Sequence, residues 1–302
     1  MRAFANAKVN LSLRVEGLRP DGFHDLSSLF QSVSLSDRLE LEPSDDDGIT
    51  GWQGEAVPDG ERNLAWRAVA AVRHELATAG GASAAASGRG LRLWLAKRIP
   101  VAAGMGGGSA DAGAALHLAV RVLGTPPGVD AAALVDRLAP TLGSDVPFCA
   151  RGGTAMMTGR GEVVNPVEPL TGFALGIVVP PIELATPAVF SAWDHLATSG
   201  RAQGVELATG GLPPSVRDHA PLRNDLYPAA VSLAPEVDDW RRELETAWGR
   251  PVAMSGSGPT LFAFFVDLAE ATAAGEVIPP GARAVEAVVP VAVGWSWDPS
   301  GG

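Results

Sequence analysis

Residues 100–116 read PVAAGMGGGSADAGAAL, five glycines and one serine at the front of a helical stretch. Glycine loses more freedom on folding than any other residue, so a dense run is either a floppy accident or a place where backbone must approach something closely. A helix start presents unpaired N–H groups and a partial positive charge, and phosphate oxygens bind there. Lys97 and Pro100 stand immediately ahead of the run. It is not a Walker A loop, because no Lys-Ser/Thr follows the glycines. Nor is it G-x-G-x-x-G, because the sixth position counted from Gly104 is Ser109. Two readings stand side by side. One is a phosphate cradle in which Ser109 caps the helix, binds phosphate or faces a magnesium ion. The other is a plain loop with Ser109 as the helix N-cap.

The cations point to the same region. Of 23 basic residues only Lys8 and Lys97 are lysines, in a chain that otherwise uses arginine. Lysine is a compact point charge with three rotatable donors, whereas arginine is a planar fork. Lys8 lies in the alternating segment KVNLSLRV, and Lys97 directly follows the alternating segment LRLWLA. Asp145, in LGSDVPF, reads on its own as a helix stop followed by a new N-cap.

The elements that must hold these residues follow from periodicity. Val9, Leu11, Leu13 and Val15 alternate as a strand, RPDG makes a turn, and RLELEP alternates again. Helical spacing covers 63–79, then about 109–123 and 130–142, the last closed by Gly143. The segment TAGGASAAASGRG reads as a flexible connection. FALGIVVP reads as a strand, and 198–214 as a long loop rich in Gly, Ser and Pro. Helices follow at 224–233 and 236–247. PVAMSGSGPTLFAFFV reads as strand, glycine turn, strand, AVEAVVPVAV as the last strand, and WDPSGG as a frayed tail. Strands and helices interleave without a repeat, which predicts an α+β chain in two halves, 1–155 and 156–302.

Composition narrows the class. The chain has 302 residues, 46% hydrophobic and 19% charged, enough for ample core. A net charge of −11 argues against a nucleic-acid footprint. Acidity does not exclude a small anionic ligand held by a few local donors. No run of about 18 apolar residues and no signal-peptide pattern is present, so no membrane association is expected. The one cysteine, Cys149, allows no internal disulfide and reads as a small buried hydrophobe. Together these features predict a cytoplasmic protein.

The segment KRIPVAAGMGGGSADAGAAL resembles the glycine-rich phosphate loop of the GHMP kinases, the family of galactose, homoserine, mevalonate and phosphomevalonate kinases. FANAKVNLSL is similar to the family's N-terminal motif and MSGSGPTLFAFF to its C-terminal glycine motif. RPDGFHDLSSLFQSV, GGGSAD, LGSDVPF, TPAVF and RNDL further resemble the branch of the family whose acceptor carries a cytidyl diphosphate on methylerythritol. The resemblance runs from about residue 5 to residue 265. It implies an N-terminal half like domain 2 of ribosomal protein S5 and a C-terminal ferredoxin-like half. It also implies transfer of the γ-phosphoryl group of ATP, with Mg2+, to the tertiary 2-hydroxyl of that acceptor. Homoserine or a mevalonate derivative as acceptor, or a non-catalytic binding protein on the same fold, are the competing readings.

The matched positions carry expected roles. Asp145 corresponds to the family's general base, and Lys8 to its catalytic lysine, which orients the base and offsets growing negative charge. Gly104, Gly106, Gly107, Gly108 and Ser109 would wrap the phosphates, with Asn63, Lys97 and Pro100 lining the nucleotide pocket. Asp111 reads as a cap or an indirect contact to metal or ribose. Asn10 and Thr186 would bind the acceptor. Phe23 and Phe190 would sandwich the cytosine while His24 bonds its edge. Read without the resemblance, the two phenylalanines are core residues and His24 a turn residue. The chain departs from the family pattern at Phe23 (usually Tyr), Met105 (Leu), Ala110 (Ser) and Tyr227 (often Glu).

Overall fold

A computed structural model describes residues 1–54, 56–79, 90–198, 200, 204, 206–207 and 212–299. Most of the expected connection at 78–90, most of the expected loop at 198–214 and the last three residues lie outside the described residues.

The chain opens with two long antiparallel strands, β1 (Arg2–Leu18) and β2 (His24–Ser44). The first is longer than its apolar alternation suggests, because Ala3, Ala5 and Ala7 continue the buried face of Val9, Leu11 and Leu13. β3 (Gly48–Gln53) runs through α1 (Leu64–Thr78) into β4 (Gly90–Ala96), and β3 and β4 pair in parallel as a crossover unit. Asn63 caps α1, its Oδ1 accepting the Ala65 and Trp66 N–H groups. Next come α2 (Gly107–Leu123), α3 (Ala131–Leu142) and α4 (Val146–Arg151), then β5 (Thr154–Thr158) and β6 (Val163–Pro166). The alanines of α2 are buried beneath the sheet, where their small volume admits close helix approach.

β5 pairs with β2 and β6, so residue 155 falls inside a strand of the first sheet. The C-terminal end returns to that sheet: β11 (Trp295–Trp297) pairs with β1, giving seven strands with the path β11-β1-β2-β4-β3. The expectation that AVEAVVPVAV is the last strand and WDPSGG a frayed tail is therefore corrected. Asp298 is buried, bonds the Arg2 carbonyl through its N–H at 3.0 Å and pairs with Arg38 at 2.7 Å.

The second sheet is antiparallel, ordered β10-β7-β9-β8, from β7 (Ala174–Val179), β8 (Ala253–Met254), β9 (Leu261–Phe265) and β10 (Ala284–Val288). One face, with Leu175, Ile177, Phe262 and Phe264, joins the core of the first sheet. The other, with Ala174, Val178, Leu261 and Ala263, packs in a second core with residues of α5 (Thr186–Ala197), α7 (Tyr227–Leu233), α8 (Glu236–Trp248) and α9 (Leu268–Gly275). The short α6 (Pro214–Arg217) precedes α7. α7 starts later than its periodicity predicts, because the Asn224 side chain accepts the Leu226 N–H and Pro228 sits in the first turn. The molecule is a two-part α+β fold.

Candidate active site

The register of β1 against β2 shifts between Asn6 and Lys8 and again between Asn10 and Ser12. Lys8 and Asn10 lie between these irregularities, and Lys8 Nζ donates to Asn10 Oδ1 at 2.6 Å. Lys8 is buried. Asn10 is fixed in turn, its backbone N–H donating to Ser255 Oγ at 3.1 Å and its amide to Ser28 Oγ at 3.0 Å.

Asp145 reaches Lys8 through helix packing. A Cβ at Gly113 of α2 would lie 2.7 Å from the Ala150 nitrogen, so the missing side chain lets α4 dock closely. Asp145 precedes α4, and its Oδ2 stands 3.2 Å from Lys8 Nζ. Asp145 stands at the N-cap position of α4, as its sequence context predicts, but its carboxylate makes no capping hydrogen bond.

The glycine run forms a tight loop. Gly104 and Gly106 have φ of +80° and +67°, a region that favours glycine. Gly106 is itself the N-cap position and α2 begins at Gly107, so Ser109 sits within the first turn and is not the cap. The loop is tied on two sides. The Lys8 N–H donates to the Met105 carbonyl at 3.0 Å, and Thr260 Oγ1 donates to the Ala103 carbonyl. A Cβ at Gly104 would lie 2.9 Å from the Ser255 carbonyl oxygen, so the C-terminal glycine motif closes directly over the loop. Met105 and Ala110 are both buried, so these two departures are accommodated as apolar packing.

Lys97 carries the second buried charge cluster. Its Nζ pairs with Asp111 at 2.8 Å and with Asp37, whose other oxygen accepts the Arg98 and Ile99 N–H groups at 2.6 and 2.9 Å. Burial works against the lysine charge, but the Asp111 and Asp37 carboxylates outweigh it and hold the amine above its ordinary range. Burial pushes the Asp111 carboxyl up to about 8, against the pull of Lys97. Asp111 thus holds its proton well above the usual carboxylate range, with Lys97 bridging it to Asp37. Asp111 is an ion-pair partner, not a helix cap.

At the other end, Phe23 follows the Asp-Gly turn and is 51% exposed, which corrects its reading as a core residue. The Arg160 guanidinium lies 4.8 Å from its ring centroid. His24 Nε2 lies 2.7 Å from Asp194 Oδ1, and the imidazole stacks on Phe190 with centroids 5.2 Å apart. Thr186 Oγ1 meets Ser257 Oγ at 2.8 Å.

These groups line one cavity of about 860 Å³. Its wall includes Lys8, Asn10, Asp145, Phe23, His24, Thr186 and Phe190. Asn63, Lys97, Pro100, the loop glycines 104 and 106–108, and Ser109 line it as well.

Comparison with known proteins agrees in both halves. The models for the GHMP kinases N terminal domain and GHMP kinases C terminal match residues 63–153 and 210–279. The chain is 40% identical over 271 residues to the 4-diphosphocytidyl-2-C-methyl-D-erythritol kinase of Pelotomaculum thermopropionicum, spanning 89% of this chain and 90% of that protein. The namesake kinase of Nocardia farcinica is 40% identical over 281 residues, spanning 89% and 86%. The chain belongs to the 4-diphosphocytidyl-2-C-methyl-D-erythritol kinase family of GHMP kinases. A solved 4-(cytidine 5'-diphospho)-2C-methyl-D-erythritol kinase superposes with a TM-score of 0.72 at 34% identity, covering 96% of this chain and 99% of that one. A homoserine kinase from Cytophaga hutchinsonii, at 20% identity and TM-score 0.66, shares the fold.

Several wall residues of this family member escape a reading of the sequence. Arg62, Arg160 and Asp194 line the cavity from segments with no chemical pattern of their own, and Ser257 lines it from the C-terminal glycine motif. Gly161, next to Arg160, lies beside Asp145 with its Cβ position 3.9 Å from Oδ1. Asp37 sits in an alternating strand, where a buried acid has no local signature.

Proposed function

We propose that this ATP-dependent kinase transfers the γ-phosphoryl group to the 2-hydroxyl of 4-diphosphocytidyl-2-C-methyl-D-erythritol, giving ADP and the 2-phosphate. The observation that carries this reading is the Lys8–Asp145 pair at 3.2 Å, set in one cavity between the glycine loop and the Phe23–His24–Phe190 group.

Phosphoryl transfer needs positioning and charge stabilisation more than covalent chemistry. A tertiary alcohol is poorly acidic, and Asp145 is the carboxylate placed to take its proton. Lys8 holds Asp145 and Asn10 at once, so the base and an acceptor-binding amide are fixed by a single cation. The loop glycines and the first turn of α2 supply N–H donors to the nucleotide phosphates. Val57, Pro58, Leu64 and Leu95 offer an apolar wall to the purine, beside Asn63 and Lys97. Arg160, held by Glu162 at 3.6 Å, stands beside Phe23 and is available to the acceptor's diphosphate.

The positive-φ loop at a helix start fits nucleotide phosphates, which supply the transferred group. Among the described residues no set of three His, Cys, Asp or Glu could hold a metal ion. Magnesium commonly rides on substrate phosphates with few protein ligands, and Ser109 in the first turn is the hydroxyl placed to meet it. We assign the phosphate loop, Lys8 and Asp145 to a unit built on the seven-stranded sheet, and Thr186 and Phe190 to one built on the four-stranded sheet. No described helix is long and apolar enough to cross a membrane, and we place the reaction in the cytoplasm.

A coupled ADP-release assay tests this reading. With ATP and magnesium, turnover is expected with the cytidyl-diphosphate acceptor and not with homoserine or mevalonate. Turnover with either of those instead refutes the acceptor assignment.

A further inference from the structure

The imidazole of His24 is gripped by a single turn of α5. Phe190 stacks on it at 5.2 Å with an interplanar angle of 22°. Trp193 meets it edge-on at 5.4 Å and 84°, and Asp194 bonds Nε2 at 2.7 Å. Phe190 and Asp194 are four residues apart, so one helix face presents a ring and a carboxylate to the same imidazole. Neither ring flip nor translation is left open without breaking one of these contacts.

A carboxylate accepts hydrogen bonds and does not donate them. Nε2 therefore carries the proton, and in the neutral ring Nδ1 is an acceptor. No protein partner for Nδ1 exists among the described residues. His24 lines the cavity beside Phe23. A glycosylated cytosine has one donor group, its N4 amine, whereas thymine-type bases carry the O4 acceptor at that position. An acceptor-only nitrogen can bond cytosine there and nowhere else. A uridyl base in the same pose would set two lone pairs against each other.

We propose that Asp194 is a positioning residue that locks His24 in the Nε2–H form, and through it makes the pocket select a cytidyl over a uridyl acceptor. The proposal rests on the base-binding role of the Phe23–His24–Phe190 end. Asp194 itself is 46% exposed and acts on the base through His24.

The test is Asp194→Asn, with Asp194→Glu as the conservative control. An amide can donate to Nε2 and so release the other tautomer. Steady-state kinetics are measured with cytidyl- and uridyl-diphosphate forms of the acceptor, and ring 15N shifts of His24 are assigned against His24→Gln. The expected result for Asp194→Asn is a KM for the cytidyl acceptor raised roughly tenfold at near-constant kcat. The cytidyl-to-uridyl ratio narrows and Nδ1 leaves its acceptor shift, while Asp194→Glu restores all three. An unchanged ratio with unchanged ring shifts in Asp194→Asn overturns the proposal and leaves the base-site reading intact. A wild type that shows no cytidyl preference overturns both, and the ring shifts then still report whether Asp194 sets the tautomer.

Discussion

Lys8 and Asp145, 137 positions apart in sequence, meet at 3.2 Å with the lysine buried and the carboxylate partly open to the cavity. The lysine comes from a strand and the aspartate from the start of a helix that docks on α2 through Gly113. The pair is therefore a product of the tertiary fold, not of either segment alone.

Its removal should be felt in kcat. Asp145→Asn keeps the shape but cannot take a proton, and kcat is expected to fall about 10³-fold. Lys8→Ala should lose a similar factor and loosen Asn10 as well. Rapid-quench measurement of the transfer step checks this, and a mutant kcat within a few-fold of wild type returns Asp145 to a structural role.

Gly106 is the hinge between the loop and the lysine. Its φ is +67°, and a Cβ there would lie 2.9 Å from Lys8 Cε. Gly106→Ala strains the backbone and pushes on Lys8 together, so catalysis should drop by more than tenfold. Gly172→Ala, which carries the same left-handed strain at φ +76° with no atom near its Cβ and lies off the cavity wall, is the control and should cost far less. Equal effects of the two would sink the link between loop and lysine.

The Asp37–Lys97–Asp111 cluster predicts a pH dependence of stability. The Asp111 carboxyl is raised from 3.8 to about 8, so the folded state holds that proton more tightly than the unfolded one. Its contribution is fully present below about pH 3.8 and is lost as pH rises towards about 8. The slope is at most about 1.4 kcal/mol per pH unit. Urea unfolding of wild type and Asp111→Asn at several pH values should show the wild type losing ground to the variant as pH rises. Parallel curves would contradict a raised Asp111 carboxyl.

Arg160 lines the cavity over the Phe23 ring, at the end proposed to take the acceptor. Arg160→Gln removes a charge that the acceptor's diphosphate would meet, so its KM should rise roughly tenfold while KM for ATP stays put. Equal changes in both constants would argue for a general loss of structure.

What the sequence reveals, and what it hides, divides along physical lines. The glycine loop is legible because left-handed backbone and close approach leave a compositional trace. Val9, Leu11 and Leu13 are legible because apolar and polar residue types alternate along β1, although both faces are buried there. The start of α2 was misplaced by two residues, since Gly106 caps by backbone conformation and offers no capping side chain. β11 stayed hidden because a three-residue strand carries too little periodicity, and its pairing with β1 joins the two ends of the chain. Asp194 and Arg160 were invisible for a different reason. Each is an ordinary surface charge by sequence, and only the third dimension sets it against His24 or Phe23.

Which oxygen receives phosphate can be read directly from the product. Carbon 2 of the methylerythritol unit is tertiary and bears no hydrogen. A phosphoryl group placed there gives a 31P resonance without three-bond coupling to a proton, unlike one on a primary or secondary hydroxyl. The decisive measurement is the proton-coupled 31P spectrum of the product formed from ATP and the cytidyl-diphosphate acceptor. An uncoupled monophosphate line, absent when Asp145→Asn replaces the wild type, is the predicted result. A line split by neighbouring protons, or the same line at full intensity from the mutant, would contradict the account.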